Sequence, residues 1–534
     1  MTIDVASLTR RLPRRQPARA RRAAGAIPHP CDLLALALCL VALAASAWVA
    51  TVVFDRLPHV EDDVAFLFQA KTIAGGHLLA RPPALPEFFW IPFVIIRDGH
   101  WFGKYPPGYP LVLALGVLSG VPWLLNPVVG ALDVGLVYLL GKRVYHAATG
   151  LLAAALLAAS PFFLLQSGSF MSHTVSLFWA LLFLLLLARA EQTRALWPAL
   201  GAGAAIGMLF LSRPLTAVGI GLPVALWVPL GVLLDRRRLR LYLPMLGTFL
   251  PFVGAMLAYN QLTTGHATEF AYVLWWPYDK VGFGPGHGPG DTGHTWASGM
   301  LNTRLNVDQL GHYLFGWPRR LSLLPMIGAG ALGLLGLALR ALRRPRRWQP
   351  YIWDILLAGV VVSLIGVHIA YWTAGEMYGP RYYFEAIGAM TLLTSRFVFQ
   401  VAALGGWLLH RALPRLPRPE RSAQLAALAV VAGLTLWSFN TFTPAAFRAA
   451  TDWYDINGDG VRQVQAAQIH DAVVFVVMKN WTDYAPFFCQ NHLTLDDDVV
   501  YAIDQGADDR RLMDQYPSRG YYRYDHGVLT RIGS

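Results

Sequence analysis

Three carboxylates in a row stand where an apolar chain meets water. Residues Val60-Glu61-Asp62-Asp63-Val64-Ala65-Phe66 follow directly on the first long apolar run, with Phe68, Ala70 and Gly75-Gly76 behind them. If residues 62–74 are helical, Asp62 stands at the N-terminus, where the helix dipole favours negative charge, and Phe66, Ala70 and Ile73 share a face. A carboxylate placed there is held at the bilayer surface on a rigid element, as a reacting group must be. The competing reading is an N-cap cluster, since helix starts favour Asp. A second candidate is Gly103-Lys104-Tyr105-Pro106-Pro107-Gly108, in a chain with five lysines beside 39 arginines. A Lys fixed next to a double proline at headgroup depth is a point charge for a phosphate, or a snorkelling surface residue.

Further candidates come from the same face of the chain. The turn Ser167–His173 can set His173 above the carboxylates, or hold a satisfied loop histidine. Arg213 in Ser-Arg-Pro and Arg381 in Gly-Pro-Arg-Tyr-Tyr break the charge pattern of the loops around them. That points to an anionic ligand or to lipid phosphates. Tyr105, Tyr382 and Glu376 accompany them. Mid-span acids cost about 2.5–3.5 kcal/mol each, which singles out Asp133, Asp354 and Glu385, with His368 beside them. The Gly/Pro-rich stretch within 263–320, with Trp275-Trp276-Pro277, His287, Asp291 and His294, reads as a mobile lid. Its spacing fits no metal-ligand template. Residues Asp455–Gly460 copy the start of a calcium loop, but position 12 is Ala466 where a bidentate Glu is needed. No cofactor is expected; a divalent cation is compatible with the chemistry but not indicated.

The elements that carry these residues follow from composition. Hydrophobic residues make up 55% and charged ones 14%, against about 25% charged in globular chains. Apolar runs of about 20 residues make this a polytopic α-helical membrane protein. Collagen-like, disulfide-stapled and disordered classes are excluded. The net charge is +12, but the arginines sit at the ends of apolar runs rather than on one face, so no nucleic-acid partner is expected. Cys31, Cys39 and Cys489 can build neither a disulfide framework nor a Cys-based metal site.

The spans are read at 31–54, 126–142, 149–166, 173–189, 196–212, 215–234, 241–260, 321–340, 351–373, 381–410 and 423–442, eleven in all. Alternate ends carry Lys142-Arg143, Arg189–Arg194, Asp235–Arg240, Arg340–Arg347 and Arg411–Arg421, which places them and the basic tail 1–30 in the cytoplasm. The first run, with its Ala-Ala-Ser-Ala stretch, is too long for a cleaved signal and is read as an anchor. Residues 106–125 cannot be a full span without inverting every later loop, so they read as a re-entrant or interfacial hairpin. The transmembrane region is thus 31–442, with external loops 55–125 and 263–320. Residues 443–534 form a small external α/β domain, with strands at 471–477 and 499–503 and a helix at 508–516.

The order of these features resembles the GT-C glycosyltransferases, in particular the branch of protein O-mannosyltransferases and lipid A aminoarabinose transferases. The pattern Asp-(Glu/Asp)-x-x-aromatic-x-x-x-Ala-x-x-x-x-x-Gly reads here as Asp62-Asp63 through Phe66 and Ala70 to Gly76. A Lys-x-Pro-Pro motif is Lys104-Tyr105-Pro106-Pro107, and a Gly-to-Arg span motif runs from Gly130 to Arg143. The likeness extends over residues 31–400 in order of elements and over the first 150 in readable motifs. It departs at the Ser-His turn before span four, where some relatives carry Asp, and at Ser212-Arg213-Pro214, where the aminoarabinose branch has Thr-Lys-Gly.

The resemblance implies a membrane glycosyltransferase, and the excess of Arg over Lys points to a GC-rich bacterial gene and hence a bacterial plasma membrane. A polyprenyl-monophosphate donor would pass its sugar to a glycan, lipid or protein hydroxyl, with inversion. Asp62, with Asp63, would supply the base, and Lys104, Arg213 and Arg381 would hold the phosphate. The alternatives are a polysaccharide ligase or polymerase with a diphosphate-linked donor, and a lipid or sugar transporter.

Overall fold

The computed structural model describes residues 30–341, 349–451 and 453–533. The expected basic tail lies outside them except for residue 30, as does most of the Arg340–Arg347 stretch. Each of the eleven apolar runs holds a helix. Among the described residues eight helices are long and apolar enough to cross a bilayer, and a bent pair, Ala147–Ala158 and Pro161–Gly168, makes a ninth if it is one span. The pair bends by 63° because Ser160 leaves helical geometry to cap the second piece, accepting from the Phe163 amide at 3.2 Å, and Pro161 starts that piece. The helices Leu196–Ser212 and Leu324–Ala338 are shorter.

Residues 106–125 hold no helix long enough to cross a bilayer, as expected. They form a single helix, Gly108–Leu118, then a turn at Gly120 and the 3₁₀ segment Pro122–Leu124 leading into the helix Leu125–Val144. Eleven residues span about 16 Å, half of the roughly 30 Å hydrocarbon core. This helix packs on the end of Leu196–Ser212 so closely that a Cβ on Gly108 would stand 2.5 Å from the Leu211 carbonyl carbon. Only glycine fits there.

The first loop also contains the helix Glu61–Ala74 and a hairpin of β1 (Val94–Arg97) and β2 (His100–Gly103). The two-residue turn Asp98-Gly99 has φ of 51° and 73°, as a tight antiparallel hairpin demands. The stretch 263–320 contains regular structure. Its second half is the helix Trp296–Tyr313, started by a capping box between Thr295 and Ser298 and tied down by Asn302 and Asn306 to the Trp372 and Ala374 carbonyls.

The C-terminal region is a four-stranded sheet with β3 (Ala472–Val476), β4 (Val499–Ile503), β5 (Gly520–Asp525) and β6 (Val528–Gly533) in the order β4-β3-β5-β6. The central β3 is parallel to β4 and β5, and β5 and β6 form an antiparallel pair. The expected helix 508–516 shortens to Asp509–Met513. The expected boundary at 443 falls at the start of the helix Phe442–Thr451. The sheet domain shares a core with the first loop: Phe68 stacks on Phe488, and Phe88 meets Phe475 edge-on. Lys71 donates to the Cys489 and Asn491 carbonyls at 2.7 and 2.8 Å. The calcium-loop look-alike is a joint instead, since the Gly458 amide and Arg462 both bind Asp55.

Candidate active site

The helix Glu61–Ala74 begins after the extended Val60 and has no side-chain cap. The acids of its first turn are therefore not used up as caps. Asp62, Phe66 and Gln69 recur at helical spacing and all reach the Lys104-Tyr105 segment. The Tyr105 hydroxyl donates to Asp62 Oδ1 at 2.6 Å, the Tyr105 ring packs on Phe66 at 4.4 Å, and Gln69 donates to the Tyr105 carbonyl at 2.8 Å. On the other side, Arg381 Nη1 lies 3.3 Å from Asp62 Oδ2. Burial works to raise the Asp62 pKa, but the charges of Arg381 and Lys104 and the Tyr105 hydrogen bond outweigh it, and the carboxyl lies below its usual range. Asp62 is ionised.

Asp63 behaves oppositely. It is 1% exposed, its oxygens have no hydrogen-bond partner, and it lies outside the cavity. Burial and the Asp62 charge push its pKa well above the usual range. Two adjacent acids thus shift in opposite directions, because Arg381 and Lys104 together outweigh the burial of Asp62, whereas at Asp63 burial and the Asp62 charge outweigh Arg381. The two do not act on the same space.

Lys104 is 4% exposed and sits over the rings of Phe93 and Trp276, at 3.5 and 4.3 Å. Its ammonium pairs with Asp279 Oδ2 at 3.8 Å. Asp279 in turn accepts from the Tyr371 hydroxyl at 2.8 Å and the Trp372 indole at 2.9 Å. Burial lowers the Lys104 pKa to about 8, against the pull of Asp62 and Asp279. Arg213, the residue between the helices Leu196–Ser212 and Pro214–Leu234, pairs through Nε with Glu385 Oε1 at 3.1 Å and donates to Ser172 Oγ at 3.2 Å.

Glu61, Asp62, Lys104, Tyr105, Arg213, Arg381 and Tyr382 line one cavity of about 700 Å³, within the usual range of about 300–1,000 Å³ for ligand sites. His173 does not stand above the carboxylates in a loop. It opens the helix His173–Thr193, fully buried, with Nδ1 3.0 Å from Glu385 Oε1. Glu376 is exposed and outside the cavity. Sequence reasoning passed over Asp279, Tyr272 and Tyr371 as site residues. The signal for Asp279 was its place three residues after Trp276 in a segment read as a lid. Among the described residues no group of three or more His, Cys, Asp or Glu side chains is placed to hold a metal.

Residues 109–259 match the family model for dolichyl-phosphate-mannose-protein mannosyltransferases, and residues 472–530 match a domain of unknown function (DUF7846). No curated protein matches the chain. Among solved structures, ArnT from Cupriavidus metallidurans bound to undecaprenyl phosphate aligns with a TM-score of 0.51 at 14% identity, covering 91% of this chain and 88% of that one. The same protein in the apo state gives 0.50 at 14%, covering 92% of each chain. At this identity the likeness is one of fold, and the fold is that of the GT-C glycosyltransferases, as the sequence resemblance implies.

Proposed function

We propose that this chain is a GT-C membrane glycosyltransferase that moves a sugar from a polyprenyl-monophosphate donor to an acceptor hydroxyl, with inversion at the anomeric carbon. The observation that carries the reading is an ionised Asp62 on the wall of a cavity that also presents Lys104, Arg213 and Arg381. The acceptor oxygen attacks the anomeric carbon as its proton passes to Asp62, and the carbon–oxygen bond to phosphate breaks. The leaving group is a polyprenyl phosphate that gains negative charge. It needs cations rather than a proton, and the three basic residues are positioned to supply them. Tyr105 and Arg381 fix the two Asp62 oxygens, so the base is oriented before the acceptor arrives.

The cavity cations each have a carboxylate partner: Arg381 with Asp62, Arg213 with Glu385, Lys104 with Asp279 and Lys280 with Glu269. The structure that shares this fold was obtained with undecaprenyl phosphate, a polyprenyl monophosphate, which agrees with a monophosphate donor.

In this reading the cavity opens at the outer face of a bacterial plasma membrane, with the N-terminus in the cytoplasm and the C-terminal domain outside. Lys142 with Asp32, Arg194 with Asp235 and Arg238 with Glu191 gather basic helix ends at the opposite, cytoplasmic end. Tyr454, from the segment leading into the sheet domain, also lines the cavity, so that domain stands beside the path of a glycan, lipid or protein acceptor. The test is transfer of labelled sugar from a defined polyprenyl-monophosphate donor by purified protein in liposomes. Wild-type transfer that disappears in Asp62→Asn supports the reading. Transfer from a diphosphate-linked oligosaccharide alone makes the chain a ligase, and sugar-lipid translocation without transfer makes it a transporter.

A further inference from the structure

A carboxylate inside an apolar span stays there only if something in the molecule uses it. Glu385 lies two residues before the helix Ile387–Ala412, and its side chain is 0% exposed. One of its oxygens, Oε1, takes both Arg213 Nε at 3.1 Å and His173 Nδ1 at 3.0 Å. Arg213 is the only one of the three that reaches the cavity. Its fork is then held from three directions: by Glu385, by Ser172 Oγ at 3.2 Å on Nη1, and by Thr216 Oγ1 at 3.3 Å on Nε. An unrestrained arginine keeps many rotamers, and a cation that must meet a phosphate at one point gains by losing that freedom beforehand.

We infer that Glu385 is a positioning residue, locked by His173, that aims the Arg213 guanidinium at the phosphate of the lipid donor. This deepens the proposed function and rests on it. His173, at the start of its helix, is rigid and holds Glu385 Oε1 in place, so the line of contacts runs from helix start to carboxylate to guanidinium to cavity. Loss of the carboxylate frees the arginine without removing its charge. Glu385 does not touch the phosphate.

The experiment is a double-mutant cycle on donor use, with binding of a polyprenyl phosphate to purified protein in detergent as the second readout. Arg213→Ala and Glu385→Gln each raise the donor KM and the polyprenyl phosphate Kd about tenfold, the coupling size of residues in one network. In the Arg213→Ala background, Glu385→Gln adds less than twofold. His173→Gln gives a smaller effect of the same kind, and Glu385→Asp restores part of the affinity. Additive effects, or an unchanged Kd in Glu385→Gln, overturn the inference and show Glu385 to be only part of the packing. If Glu385→Gln fails to fold, the His173→Gln and Arg213→Ala pair runs the same cycle. Inorganic phosphate in place of the lipid tells whether the headgroup alone is recognised. Failure of the proposed function reads differently: polyprenyl phosphate binds and the cycle is coupled, but no sugar is transferred.

Discussion

Two ion pairs of the helical bundle, Lys104–Asp279 at the cavity and Lys142–Asp32 at the other end, differ sharply in burial. At the cavity, Lys104 and Asp279 have side chains 4% and 2% exposed, and at the other end Lys142 and Asp32 are 39% and 35% exposed. An exposed pair contributes about 0–1 kcal/mol. A buried pair loses hydration that its attraction barely offsets, and breaking one by removing a partner costs about 3–5 kcal/mol. A hydrophobic replacement of similar size would serve stability at least as well. The cavity pairs therefore make sense as stored charge, held ready for a ligand that brings its own. The exposed pair at the opposite end makes sense as membrane-surface charge.

The largest effect that could break this contrast is on chemistry. Asp62→Asn keeps the shape but removes the base, and sugar transfer should fall about a thousandfold, within the range for general base catalysis. A loss of less than tenfold would mean that the stored charge at this position is structural.

Next comes stability. Arg381→Ala leaves Asp62 buried beside a single remaining cation, and unfolding in detergent should become easier by about 3 kcal/mol. A change within 0.5 kcal/mol would place this pair with the surface pairs.

A subtler test uses pH. Lys104 has a pKa lowered to about 8 by burial, whereas the unfolded chain holds its proton to about 10.4. Between these values the unfolded state binds more protons, so this group's contribution to stability rises with pH from about 8 to 10.4. Donor binding moves the other way. The donor KM should climb above pH 8 as the ammonium deprotonates, and Lys104→Arg should flatten that limb, because Arg stays charged. An unchanged limb in Lys104→Arg assigns it to another group.

The smallest effect is expected at the opposite end. Lys142→Ala should shift stability by at most about 1 kcal/mol and leave the transfer rate as it was. A clear loss of transfer would dissolve the distinction between the two ends.

Much of this architecture was legible in the chain itself, and the parts that were not share a cause. Apolar runs betray helices because burial in lipid demands continuous hydrophobicity, so each expected run holds a helix. The strands at 472–476 and 499–503 were readable for the same reason, being continuous apolar segments buried on both faces. By contrast Gly520–Asp525, with the sequence Gly-Tyr-Tyr-Arg-Tyr-Asp, and its edge partner Val528–Gly533 are half polar and gave no run to detect. Seven of the expected site residues, Glu61, Asp62, Lys104, Tyr105, Arg213, Arg381 and Tyr382, come together because short motifs place them at helix ends on one side. Their partners Asp279 and Glu385 were not legible as partners. Glu385 and His173 are 212 positions apart, and no local pattern records such a meeting. The same limit applied to residues 106–125, where Pro and Gly marked a broken segment but not the close approach of Gly108 to Leu211. The C-terminal domain shares a core with the helix that bears Asp62, so its deletion should impair donor and acceptor use together.

The bond between Lys71 and the Asn491 carbonyl joins residues 420 positions apart. At a synthesis rate of about 5–20 residues per second, the loop that carries Asp62 leaves the ribosome on the order of 20–80 s before the strands that complete its core. For that interval Phe68 and Trp101 have no sheet to cover them. A nascent chain therefore carries Asp62 on an unfinished platform until the C-terminal sheet has been made.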